Sequence, residues 1–232
     1  MKYLKKLWPV YFLTVMVFVV ATLGTNSVVT TIAENVPLKR VNTIVIDAGH
    51  GGIDGGATSC SGVLESQINL EIALRLNDLC RLLGYDTVMV RTSDVSIYTE
   101  GKTIAAKKAS DLRQRVKLVN ETENAILVSI HQNVFADNQY AGAQIFYAAT
   151  GNSKELAELL QKEWIAALNP GSNRKAKEAG GIYLMQHIDK TGILVECGFL
   201  SNPEEEAKLR NSDYQKKMCC VIVSALSQYI NA

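Results

Sequence analysis

From Asn42 onward the chain alternates short apolar runs with longer amphipathic stretches, and this alternation constrains the fold more than any other feature. The runs "TIVID" (43–47), "DTVMVR" (86–91), "AILVSI" (125–130), "AGAQIFYAA", "GIYLM" and "GILVE" have the length and side chains of strands. Between them, "SQINLEIALRLNDLCRLLG" places apolar residues at 68, 72, 76, 79 and 83, one helical face, and Gly84 stands at a helix-stop position. "DLRQRVKLVN" groups Leu112, Val116 and Val119 on one face. "SKELAELLQKEWIAAL" predicts a helix ended by "NPG" (169–171). Pro203, behind a polar cap and ahead of glutamates, predicts another helix start, and the tail from Asp213 predicts a last helix. "TSDVSIYTEGKTIAAKKAS" is polar and predicts a loop with some helix in it. Strands and helices at this spacing predict an α/β domain, with a mostly parallel sheet and helices on both faces.

That architecture says where to look for chemistry. In open α/β sheets, ligands gather beyond the carboxyl ends of parallel strands. His50 lies three residues past "TIVID", in the glycine-rich "DAGHGGIDGGA" (47–57). His131 ends "AILVSIH", and Glu196 ends "GILVE". Glu65 opens the helix after the glycine loop, at the same edge. Two imidazoles and two carboxylates suit a catalytic zinc site, which takes three protein ligands and keeps a position open for water. On spacing alone, each histidine reads equally well as a hydrogen-bonded residue near a strand end. A phosphate-binding loop fits worse. Asp54 stands where the third glycine of G-x-G-x-x-G belongs, and no G-K-[ST] is present. His187, after "GIYLMQ", reads as a surface or structural residue, and the basic "NRKAKEAG" (173–180) as a solvated loop or as a segment that faces carboxylates of a ligand.

The amino end is different in kind. Lys2, Lys5 and Lys6 precede a run from Leu7 to Gly24 without a charged side chain. Its eighteen residues approach the lower length for crossing a bilayer, and the lysines ahead of it predict export of the rest of the chain. Residues 1–25 therefore read as an uncleaved anchor or a cleaved signal peptide. Residues 26–41 read as a linker and 42–232 as the domain. A net charge of +1 and the lack of a recognisable binding motif argue against a nucleic-acid partner. Five cysteines, an odd number, fit no zinc-ribbon spacing, so they read mostly as small apolar residues.

Taken together, "IDAGHGGIDGGA", "LESQINLEIALRL", "DLRQRV", "LVSIHQN" and "ILVECGFLSNPEE" resemble the zinc-dependent N-acetylmuramoyl-L-alanine amidases of the Amidase_3 class. The resemblance covers about residues 42–230. It implies a mixed, mostly parallel sheet, Zn2+ held by His50, Glu65 and His131, and Glu196 as the catalytic carboxylate. It also implies peptidoglycan as substrate, cut between N-acetylmuramic acid and L-alanine of the stem peptide. "DLRQRVKLVN", "GAQIFYA" and "RKAKEAGGIYLMQ" look most similar to the germination-specific, spore-cortex subgroup. For that subgroup the expected product leads to muramic-δ-lactam, and an accessory spore-envelope protein is an expected partner. A zinc peptidase cutting within the stem peptide, or a wall-binding module without catalysis, are the competing expectations. Cys197, beside Glu196, departs from the small or aliphatic residues common there. It reads as either inert or the most redox-sensitive spot near the site.

Overall fold

The computed structural model describes residues 42–232. The expected anchor or signal segment and the linker lie outside the described residues. Among the described residues, no helix is long and apolar enough to cross a membrane.

Six strands form one sheet: β1 (Thr43–Ala48), β2 (Asp86–Met89), β3 (Ala125–Asn133), β4 (Gln144–Tyr147), β5 (Lys177–Glu178) and β6 (Thr191–Phe199). Their order is β2-β1-β3-β6-β4-β5. Only the β4–β6 pair is antiparallel. The central strands β1, β3 and β6 are buried on both faces, so they read as unbroken apolar runs rather than alternating ones.

Helices cover both faces. On one side lie α1 (Glu65–Leu82), α3 (Ser153–Leu168) and α6 (Ser212–Asn231), with Ile72, Leu76, Leu160, Trp164 and Ile222 packed on Ile44, Ile46, Val128 and Val195. On the other lie α2 (Ile104–Glu121) and the short α4 (Tyr183–His187), enclosing Val45, Leu127 and Leu194. The remaining helix, α5 (Pro203–Leu209), comes directly after β6. The expected three-layer, mixed but mostly parallel α/β fold is therefore present.

Local chemistry explains the ends. Gly84 sits at φ +84°, and the amides of Gly84 and Tyr85 return to the carbonyls of Arg81 and Cys80, a Schellman stop for α1. Asn202 Oδ1 accepts from the Glu204 and Glu205 amides and caps α5, with Pro203 at its first position.

Two expectations fail. "GIYLM" is not a strand. Leu184, Met185 and Ile188 are the buried residues, at helical spacing, and the segment lies on the outside of the sheet against β6 and α2. A five-residue apolar run does not distinguish the two periods. The basic stretch 173–180 is not wholly loop. Lys177 and Glu178 pair with Phe146 and Tyr147 as the edge strand β5. The polar segment before "DLRQRV" becomes helical from Ile104, capped by Thr103 Oγ1 on the Ala106 amide.

Candidate metal centre

The site lies at the carboxyl edge of β1, β3 and β6. His131 and Glu196 are register partners on the neighbouring parallel strands β3 and β6. Glu65 is the first residue of α1, whose start is capped by the glycine loop itself. Ala57 O accepts from the Glu65 amide, and Gly55 O from Ser66. His50 is carried on that loop with φ +60°, a left-handed conformation uncommon for a residue with a Cβ.

Two buried arginines hold this backbone in place. Arg91 donates to the carbonyls of Ala48, Gly49 and Ser66. Arg115 donates to the carbonyls of Ala48 and His50 and is ion-paired with Asp47 and Asp111. Asp47 in turn accepts from Ser129 Oγ at 2.6 Å. Burial works against ionisation of Asp47, but Arg115, His131 and the Ser129 hydroxyl together outweigh it and hold the carboxyl below its ordinary range. The glycines make room for donors rather than for phosphate. A Cβ on Gly49 would collide with the His131 ring, and one on Gly56 with Glu65 and His50.

His50, Glu65 and His131 converge. His50 Nε2 is 3.2 Å from Glu65 Oε2, and His131 Nδ1 is 3.0 Å from Glu65 Oε1. One donor atom from each of the three lies within 4.8 Å of the others. Ligands bound to a tetrahedral zinc at its usual bond lengths stand about 3.3 Å apart, so the spacing and the His/Glu/His donor set fit such an ion. The donors are themselves oriented. His50 Nδ1 meets Asp54 Oδ2 at 2.9 Å. Glu65 accepts from the amides of Ala57 and Gln132 and from Asn69 Nδ2. Partners of this kind fix the aim of metal-binding side chains.

The two carboxylates have opposite electrostatics. Burial opposes the charge of Glu65, but hydrogen bonds and charge from His131 and His50 prevail and hold it well below the glutamate range. Burial also opposes a proton on His50, yet Glu65 and then Asp54 raise it to about 8. Glu196 has no such support. Burial pushes it up to about 7, with His131 pulling the other way and Glu65 adding to the rise. Its Oε2 is buried and has no hydrogen-bond partner among the described residues. Glu196, His50 and His131 face one cavity of about 330 Å3.

The profile of the N-acetylmuramoyl-L-alanine amidase family matches residues 44–228. The chain belongs to that family. It is 41% identical over 188 residues to the germination-specific N-acetylmuramoyl-L-alanine amidase of Bacillus subtilis, covering 80% of this chain and 78% of that one. Among solved structures it is similar to the CwlD amidase from Clostridioides difficile in complex with the GerS lipoprotein. That match has 36% identity and a TM-score of 0.78, over 82% of this chain and 98% of that one. An N-acetylmuramoyl-L-alanine amidase from Clostridium difficile 630 matches at 31% identity and TM-score 0.72, over 83% and 98%.

All four residues singled out in the sequence thus meet at one edge of this amidase domain. His187 does not join them. It is exposed, its Nδ1 meets Tyr183 O at 2.8 Å, and its ring stacks on Tyr183. Asp47, Asp54, Arg91 and Arg115 brace the loop and the His50 ring, and sequence reasoning misses them. Asp54, four residues after His50 in the same loop, carries a usable signal. Arg115 lies inside the "DLRQRV" motif, but nothing in its spacing announces two backbone carbonyls as its targets. Cys197 is buried on the face opposite Glu196, and burial raises its thiol far above the ordinary cysteine value, so it reads as inert. No disulfide forms among the described residues.

Proposed function

We propose that this amidase is a zinc enzyme in which His50, Glu65 and His131 hold the metal and Glu196 moves the proton. The observation that carries the reading is the convergence of three donor atoms beside a carboxylate whose buried oxygen lacks a partner. When bound, zinc supplies Lewis acidity that polarises the scissile carbonyl and brings the pKa of water near neutrality. Glu196 accepts a proton from the attacking water and delivers it to the nitrogen of the leaving L-alanine. A carboxylate whose buried oxygen has no hydrogen-bond partner is free to take up and release a proton at the water and the leaving nitrogen. Asp54 and Asn69 keep the donors aimed, while Arg91 and Arg115 keep the His50 backbone in its left-handed turn.

The substrate is peptidoglycan, cut between N-acetylmuramic acid and the L-alanine of the stem peptide. Similarity to the germination-specific relative supports the spore cortex as the place of action, and muramic-δ-lactam as the fate of the stripped sugar. The catalytic domain spans residues 42–232. Residues 1–25 carry it out of the cytoplasm as an anchor or signal, and 26–41 link the two. An accessory envelope protein is its partner, a reading supported by the lipoprotein in the complex of the similar amidase.

The test is metal analysis of the purified protein together with mass spectrometry of digested muropeptides. Stoichiometric zinc and new L-alanine amino termini are expected. Release of D-alanine instead would favour the peptidase alternative, and unchanged muropeptides would favour a wall-binding module.

A further inference from the structure

The cavity holds two cations that the amide chemistry does not use, and they differ. Arg115 is buried and committed to Asp47, Asp111 and two backbone carbonyls. Lys108 stands on α2 at the rim, with its side chain 47% exposed. Its Nζ lies 2.7 Å from Asp54 Oδ1, while Asp54 Oδ2 lies 2.9 Å from the His50 ring. The ammonium therefore sits two hydrogen bonds away from a donor of the metal centre. Lys108 is the strongest of the groups that keep Asp54 charged, but it is not the only one that holds it. The aspartate is also held by His50 and by the Gly56 amide, and its backbone is bridged to Gly51. Leu112, Ile182, Leu184 and Leu194 make an apolar wall in the same cavity. An apolar wall with one movable ammonium at the rim fits a short peptide that carries an anion.

We propose that Lys108 is a specificity-determining residue that binds the carboxylate of the second residue of the stem peptide. This rests on the amidase reading. The peptide beginning at the released L-alanine continues with a glutamate joined through its side chain, which leaves the α-carboxylate free. Some walls carry the amide there instead. Extended chain advances about 3.5 Å per residue, which puts this carboxylate about 7 Å from the scissile nitrogen. A flexible stem with a compact charge suits a ligand that must be gripped and released at each turnover. A partly exposed ion pair is weak in water, so Lys108 exchanges Asp54 for the substrate at little cost. The recognition is one of charge, and the amide form of the peptide forfeits it.

The experiment uses the full-length, zinc-loaded protein and two muropeptides that differ only at the second residue, one with the free carboxylate and one with the amide. The wild type is expected to favour the carboxylate form in kcat/KM by about 5- to 10-fold. Lys108→Met should erase that preference by raising KM for the carboxylate form, leaving the amide form within about 2-fold. Lys108→Arg should restore most of it. If Lys108→Met lowers both substrates equally, the lysine acts only through Asp54 and the proposal is overturned. A wild type without preference overturns it as well. A wild type that cleaves neither substrate removes the amidase reading and this inference together.

Discussion

The start of α1 and strand β6 each place a glutamate beside the two histidines, and the protein treats them in opposite ways. Glu65 is 3% exposed and surrounded by donors: two imidazoles, two backbone amides and Asn69. Glu196, across β3 from it, is left with a buried oxygen that nothing satisfies. A carboxylate ringed by donors stays charged and stays put, as a ligand must. A carboxylate in a dry place, with few donors, rises toward neutrality and can take up or release a proton. Burial alone does not separate the two proposed roles, because both groups are largely buried. Donor count does.

Exchanging each glutamate for glutamine puts the largest strain on that comparison. The amide keeps the size and loses the charge. On the proposed assignment, Glu65→Gln should lose zinc and activity together, because one of the three proposed ligands is weakened and the two histidines lose the charge they face. Glu196→Gln should keep zinc and fold while losing about 10²- to 10⁴-fold in kcat. Metal content by atomic spectroscopy and turnover on purified muropeptides, from one preparation, read both. Loss of zinc in Glu196→Gln would reverse the assignments and make Glu65 the base.

A smaller effect is expected one hydrogen bond further from the metal. Asp54→Asn keeps a hydrogen-bond acceptor beside His50 Nδ1 but removes the charge that helps raise His50. Zinc affinity should fall about 10- to 100-fold, as is usual for such orienting partners. At saturating zinc, kcat should largely recover, since Glu196 is untouched. A loss of kcat that zinc does not rescue would place Asp54 in the chemistry and blur the division between the ligand side and the proton side.

Much of this site is legible in the sequence because two of its signals are local. Strand ends mark where an α/β sheet puts function, and His50, His131 and Glu196 all come after apolar runs. Glu65 is legible because it opens the next helix. The parts that escape are non-local or ambiguous in period. Arg91 and Arg115 reach loop carbonyls 42 to 67 residues away in sequence, and no pattern in the chain encodes that reach. "GIYLM" misleads because five apolar residues satisfy a strand and a short helix alike, and only packing on β6 decides. The two-residue strand β5 is too short to leave any alternation, and its lysine and glutamate read as loop. The antiparallel insertion of β4 beside β6 is likewise not spelled out by spacing.

The smallest expected effect tests the proton side at its nearest neighbour. Adjacent residues in a strand point to opposite faces, so Glu196 and Cys197 share a peptide bond but not an environment. Glu196 looks into the cavity with Leu194 and Ile182. Cys197 looks the other way, into the core that holds Ile130, Val195 and Cys219, and it is 2% exposed. If burial on the cavity side is what raises Glu196, the sulfur behind it has no part in the reaction. Cys197→Ala should therefore keep kcat/KM within about 2-fold, a change of less than about 0.5 kcal/mol in the barrier. It should cost about 1 kcal/mol of stability for the small void left behind the sheet. A thiol reagent on the native wild type should reach the exposed Cys60 and Cys220 and spare Cys197. Urea melts, turnover and mapping of the labelled peptides check the three points. A sharp fall in activity without loss of zinc or fold would mean that the two faces of β6 are coupled, and that the proton site is set by more than the cavity it faces.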